Sequence, residues 1–208
     1  QIAPPPVLHN GYVTFGSFNK PEKFSEEVVA LWARLLSEVP GARLLLKYHN
    51  FFSDKGMKKI WKARFEKYGL HTDRLTFLAQ ESGQSDHLAL YSQIDIALDP
   101  FPFNGVTTTF EALLMGVPVI ALQGKRFADR VACTLLKQTS LEKFAAHSPE
   151  AYVSIATALA NKPQKLSGYR GKIRETFLSS SLFDGLNYAR NVENAYRTIW
   201  QKRCSSET

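Results

Sequence analysis

Short apolar runs alternate along the chain with longer amphipathic segments, a spacing that predicts parallel strands wrapped by helices. The runs are YVTFGSF (12–18), RLLLKYH (43–49), RLTFLA (74–79), IDIALD (94–99) and VPVIAL (117–122). The middle ones are nearly continuous in β-branched and aliphatic residues, as strands buried on both faces require. Helices are predicted near 25–38, 54–68, 85–92, 107–115 and 125–137. The first has Ser25 as N-cap, Glu26 and Glu27 in its first turn and Pro40-Gly41 as a stop. KFAAH (143–147) reads as a sixth, weak strand, after which Ser148-Pro149-Glu150 opens another helix by the cap-then-proline rule.

From about 150 to 203 the pattern is helical only, with breaks expected near Ser167-Gly168 and across Ser179–Ser181. A terminal helix from about Asn187 to Lys202 carries Tyr188, Val192, Tyr196 and Ile199 at helical spacing, which predicts packing back onto the sheet. Residues 1–10, containing IAPPPVLHN, read as a linker or extended arm, leaving 11–204 as one α/β domain. No internal repeat is visible.

Composition narrows the class. The 208 residues are enough for one well-buried core, and 44% hydrophobic with 22% charged residues is an ordinary globular balance. No run approaches the roughly 18 to 20 apolar residues of a membrane span, so no membrane partner is expected. No basic patch followed by an apolar core opens the sequence, so no signal peptide is expected either. The two cysteines, Cys133 and Cys204, show neither metal-ligand nor redox spacing, which suits free thiols and a cytoplasmic location. The net charge of +7 favours an anionic partner. Its lysines and arginines are scattered (Lys58, Lys59, Lys62, Arg64 and Lys67; Lys162, Lys165, Arg170, Lys172 and Arg174), a pattern of solvated helix faces rather than of nucleic-acid binding.

In an open parallel sheet, ligands bind beyond the C-terminal ends of the strands, and three loops there carry chemistry. After the first strand, FGSFNKPEK puts Gly16, Ser17 and Asn19 in a tight turn beside Lys20 and Lys23. Such a turn can cradle a phosphate, or be a small-residue turn with two surface lysines. After the fourth strand, DPFPFNGVTTTFEALLMGVPVIAL (99–122) stiffens its exit with Pro100 and Pro102 and turns at Asn104-Gly105. Val106, Thr107, Thr108 and Thr109 then open a helix. Unpaired amides at the positive end of a helix dipole, with hydroxyls alongside, suit a diphosphate. Glu111, in the first two turns, can accept two hydrogen bonds from a ribose diol; the plainer alternative is a carboxylate complementing the dipole. After the third strand, AQESGQSDHLALY (79–91) places His87 at the same edge, where an imidazole can stack on a base or be merely solvated. Asp99 reads as structural, and Lys125, Arg126 and Arg130 as candidates for an auxiliary phosphate contact. No G-x-G-x-x-G, Walker motif or metal cluster appears, so dehydrogenase, P-loop and metalloenzyme readings lose ground.

FGSFN…K, the histidine loop and NGVTTTFEALLMGVPV together resemble the C-terminal half of the catalytic region of protein O-GlcNAc transferases. These enzymes are related to the plant SPINDLY protein and are often preceded by tetratricopeptide repeats. The resemblance runs from about Gly11 to Cys204. It implies the second, donor-binding domain of a two-domain GT-B glycosyltransferase, with UDP-GlcNAc or UDP as ligand and serine or threonine of a protein as acceptor. It further implies inverting transfer without cofactor or metal. Acceptor binding would go through the family's first domain, absent here, so the chain alone is expected not to transfer sugar.

By resemblance Lys23 contacts the diphosphate as the catalytic cation, and Lys20 also faces phosphate. Val106, Thr107 and Thr108, with the Asn104-Gly105 turn, hold the phosphates, Glu111 the ribose, and His87 the base. Animal members have histidine where this chain has Val106, and a lysine on the ribose near the position of Gln84. The loop before His87 is also one residue longer here. UDP-glucose or GDP-fucose as donor, or a non-catalytic nucleotide-sugar module, are the alternatives.

Overall fold

In the computed structural model, which describes residues 2–79 and 84–205, all six expected strands form. They are β1 (Thr14–Ser17), β2 (Arg43–Lys47), β3 (Leu75–Leu78), β4 (Ile96–Leu98), β5 (Val119–Leu122) and β6 (Ala145–Ala146). They make one sheet in the order β3-β2-β1-β4-β5-β6, every pair parallel. The chain runs outward from β1 to β3, then crosses back to place β4 on the other side of β1. That reversal makes the β1/β4 boundary the switch point, where the loops leaving neighbouring strands diverge and leave a crevice.

The helices are α1 (Val7–Asn10), α2 (Glu26–Glu38), α3 (Lys55–Glu66), α4 (Gln84–Ala89), α5 (Thr107–Leu114), α6 (Val131–Gln138), α7 (Pro149–Ala160), α8 (Pro163–Leu178) and α9 (Gly185–Ser205). The caps expected for α2 and α7 form: Ser25 Oγ accepts from the Val28 amide, and Ser148 Oγ from that of Ala151. α2 packs against α3 and α7, and α5 against α8. Trp32 and Tyr152, both fully buried, join α2 to α7 through an indole-to-hydroxyl bond of 3.1 Å. Tyr152 in turn donates to the Asp99 carbonyl at 3.2 Å, tying that core pair to the end of β4. Gly116, at φ +73°, lets the α5–β5 turn approach α8 so closely that a Cβ there would lie 2.4 Å from the Arg170 carbonyl oxygen.

Four expectations are corrected. The leading segment is not an extended arm: α1 forms, Pro5, Pro6 and Val7 are buried, and the Val7 amide donates to Asp95 Oδ1 at 3.0 Å. The buried Arg170 guanidinium holds the same segment through the Ala3 carbonyl at 3.2 Å, and also donates to the Ile94 carbonyl. The helix expected at 125–137 begins only at Val131. Before it, Asp129 accepts from the Arg126 amide and guanidinium and closes a separate 3-10 turn. No break occurs at Ser167-Gly168, because Leu166, Arg170, Ile173 and Phe177 bury one continuous face of α8 and outweigh the helix cost of glycine. Finally, α9 does not pack back on the sheet. None of its residues is buried, and Tyr188, Tyr196, Ile199 and Trp200 are all at least 63% exposed.

Candidate nucleotide-sugar site

β1 and β4 end side by side, so the loops after them meet at the switch point. Asn19, two residues beyond β1, is buried, and its Oδ1 accepts from Thr108 Oγ1 at 3.0 Å. The chain then closes a 3-10 turn, Pro21–Lys23, that points Lys23 across the crevice. The Lys23 ammonium donates to the Asn104 carbonyl at 2.9 Å, reaches Asn19 Oδ1 at 3.5 Å and lies 4.5 Å from the centre of the Phe103 ring. Burial lowers its pKa, against the opposing pull of Asp99. Two of its three donors have protein partners, leaving one N–H and the charge for a ligand.

Asp99 explains the shape of the β4 loop. Fully buried just beyond β4, its Oδ1 accepts from the Gly105 amide at 2.8 Å and from Thr109 Oγ1 at 3.4 Å. Burial pushes its carboxyl up to about 8, although the Gly105 amide, Lys23 and Thr109 act in the other direction. Gly105 is required at this turn: a Cβ would sit 2.4 Å from Thr108 Oγ1 and 2.6 Å from Asp99 Oδ1. The loop also contains a cis Phe101-Pro102 peptide.

These contacts correct the donor assignment at Asn104 and Gly105. The Gly105 amide is committed to Asp99. Asn104 is buried, with its amide on the Ala128 carbonyl and its side-chain NH₂ on the Pro100 carbonyl at 3.1 Å. Both residues build the loop and present no donor. Free donors begin at the next residue. Val106, 45% exposed, is the N-cap of α5 and has no side-chain oxygen, so no side chain caps the helix. Among the described residues, the amides of Val106, Thr107 and Thr108 find no acceptor, and the Lys23 ammonium sits on the carbonyl of Asn104, two residues before the helix cap.

One turn further along α5, Glu111 belongs to a cluster drawn from four segments. His87 Nε2 (α4) lies 3.0 Å from Glu111 Oε2, as does the hydroxyl of Tyr91, which is also 3.2 Å from the Thr108 carbonyl. His87 Nδ1 meets the ammonium of Lys47, the last residue of β2, at 2.5 Å. Burial alone would raise the Glu111 pKa, but the bonds from His87 and Tyr91 and the charge of Lys47 hold it below the usual carboxylate value. Tyr91 is pushed well above its ordinary value, first by burial and then by Glu111. Phe18, just after β1, backs the cluster, its ring 4.5 Å from Tyr91 and 6.0 Å from His87.

The structure thus brings together Lys23, Val106, Thr107, Thr108, Glu111 and His87. It turns Lys20 away: half exposed, it pairs with Glu22 at 3.3 Å. Arg126 is likewise exposed and paired with Asp129 at 2.9 Å, and the Arg130 guanidinium reaches the Lys125 carbonyl at 3.4 Å. The Gln84 side chain and the lengthened stretch at 80–83 lie outside the described residues. Sequence reasoning missed Lys47 and Tyr91. Their only signals were a lysine closing the otherwise aliphatic run RLLLKYH and a tyrosine one helical turn after His87. Among the described residues no three His, Cys, Asp or Glu side chains gather to hold a metal ion.

Known proteins share this fold, and some share part of the sequence. The chain is 39% identical over 206 residues to the probable UDP-N-acetylglucosamine–peptide N-acetylglucosaminyltransferase SPINDLY of Solanum lycopersicum, covering 99% of this chain and 22% of that protein. A mutant O-GlcNAc transferase of Thermobaculum terrenum superposes with a TM-score of 0.88 at 34% identity, over 95% of this chain and 38% of that one. The C-terminal domain of a group 1 family glycosyl transferase from Francisella tularensis shares the fold alone, with a TM-score of 0.53 at 15% identity, over 86% of this chain and 91% of that domain. The chain spans about a fifth of the length of the curated relatives it matches. The switch-point site, the Rossmann-like sheet of a GT-B second domain and a match over residues 7–192 converge: the chain belongs to glycosyl transferase family 41.

Proposed function

We propose that this chain is the donor-binding half of a protein O-linked N-acetylglucosaminyltransferase, holding UDP-GlcNAc for inverting transfer to serine or threonine. The observation that carries this reading is the uncapped start of α5 with the Lys23 ammonium beside it, one helical turn before Glu111. The amides of Val106, Thr107 and Thr108 and the third donor of Lys23 take the diphosphate. The carboxylate of Glu111 takes the ribose through Oε1, because Oε2 is already occupied by His87 and Tyr91.

In the reaction an acceptor hydroxyl oxygen bonds to the anomeric carbon from the face opposite the phosphate, and the bond from that carbon to the phosphate oxygen breaks. UDP leaves with the electron pair, and the hydroxyl proton passes to a base outside this chain. Lys23 and the helix start stabilise the charge growing on UDP; they are in place before the bond breaks, so little reorganisation is required. The protein acceptor and a cytoplasmic location belong to the same proposal. Among the described residues no helix is long and apolar enough to cross a membrane.

Titration calorimetry with UDP, GDP and pyrophosphate tests this. Lys23→Ala should weaken UDP and pyrophosphate alike, by on the order of 1.5–3 kcal/mol for a lost charge-assisted contact. Glu111→Ala should weaken UDP and leave pyrophosphate unchanged. Equal loss of both ligands on Glu111→Ala would remove the ribose assignment. Tighter binding of GDP than of UDP would replace the donor with a guanosine one.

A further inference from the structure

Lys47 has no place in the donor contacts described above, yet it is the most buried lysine of the site, 3% exposed at the end of β2. We propose that Lys47 is a positioning residue that fixes the tautomer of His87, and through His87 the orientation of Glu111 toward the nucleoside. This rests on the donor-site reading of Glu111 and His87.

An ammonium has three donors and no acceptor. Its contact with His87 Nδ1 therefore requires the ring lone pair to lie there. The ring's single proton is then on Nε2, aimed at Glu111 Oε2 at 3.0 Å. A proton on Nδ1 would set two donors against each other at 2.5 Å. Burial lowers the Lys47 pKa while the Glu111 charge pulls it back toward the ammonium form. A neutral lysine accepting from Nδ1–H of a singly protonated ring would turn the Nε2 lone pair onto a carboxylate. Glu111 stays ionised here and cannot supply the missing proton. Nor can Tyr91, whose hydroxyl already faces Glu111 Oε2 and the Thr108 carbonyl.

Among the described residues, the groups facing the imidazole are Phe18 after β1, Lys47 of β2, Tyr91 after α4 and Glu111 of α5, and Lys47 is the cation among these. The resulting line of ammonium, neutral ring and carboxylate holds Glu111 by one oxygen and leaves the other facing out. It also fixes which edge and face of the ring a base would meet.

The test begins on the ligand-free full chain with ¹⁵N-labelled histidine, the His87 signals being those lost in His87→Gln. Wild type should show the Nε2–H tautomer. Lys47→Arg should keep it, since a guanidinium also only donates. Lys47→Met, with no donor facing Nδ1, should populate the Nδ1–H tautomer as well. A second arm follows UDP-GlcNAc affinity, which should fall by about threefold or more in Lys47→Met and stay at the wild-type level in Lys47→Arg.

An Nδ1–H or doubly protonated ring in wild type overturns the proposal, and so does a Lys47→Met spectrum identical to wild type. The wild-type spectrum decides even if Lys47→Met does not fold. Absence of UDP-GlcNAc binding with the expected spectra would overturn the donor reading and leave the tautomer assignment standing.

Discussion

Asp99 and Gly105 show how one buried carboxylate organises the β4 loop. Because an unfolded aspartate loses its proton near about pH 4 and burial holds Asp99 protonated to about 8, the unfolded chain carries fewer protons between these values. Stability from this group is therefore fully present at low pH, falls as pH rises through that window, and is level above it. Asp99→Asn should flatten the corresponding slope in melting temperature against pH relative to wild type. An unchanged slope would mean that Asp99 is ionised throughout. Gly105→Ala should destabilise the fold by about 1–3 kcal/mol, since the new methyl overpacks a site whose Thr108, Asp99 and Asn19 oxygens are all engaged. It should also weaken UDP binding, read by denaturant unfolding and calorimetry on the same sample.

Among the elements, α5 and α9 are opposites. α5 is short and buries Thr109, Ala112 and Leu113, so its start is held rigidly at the sheet edge, with its first amides unused. α9 has 21 residues, none of them buried. Its Tyr188, Val192, Tyr196 and Ile199 share one face by their spacing, and Tyr188, Tyr196, Ile199 and the neighbouring Trp200 are exposed. Removing residues 185–205 should therefore shift the melting temperature by less than about 2 °C, since no core contact is lost. A fall of several degrees would show that the helix folds back in solution. The helical spacing of the stripe was visible in sequence; what it packs against was not, because an amphipathic pattern specifies that a face is apolar and not which surface lies opposite.

For the whole molecule, the diphosphate site proposed at Lys23 and the helix start would have its positive charge in place without an ion. UDP affinity should accordingly be unaffected by EDTA and should decline with added salt as the lysine–phosphate attraction is screened. A tenfold or larger loss on chelation, restored by Mn²⁺, would make Asp99 or Glu111 a metal ligand. The +7 charge does not define the site: Lys20 and Arg126 pair with neighbouring acids, and Arg170 secures the N-terminal segment to the core.

The sequence by itself determined the six strands and their parallel pairing, because each is a contiguous run whose apolar period needs no partner to be read. The candidate stretch from Asn104 to Glu111 was also visible, because its glycine, threonines and glutamate lie within one stretch of chain. Only the tertiary structure decided which of those groups are available. Whether the Gly105 amide faces a ligand depends on Asp99 folding back over six residues, and whether Lys20 or Lys23 reaches the crevice depends on a single 3-10 turn. The cluster of Lys47, His87, Tyr91 and Glu111 joins residues up to 64 positions apart, from Lys47 to Glu111. Such a cluster exists only once β2, α4 and α5 have converged on one edge, since hydrogen bonds between side chains follow proximity in space and leave no periodic trace along the chain.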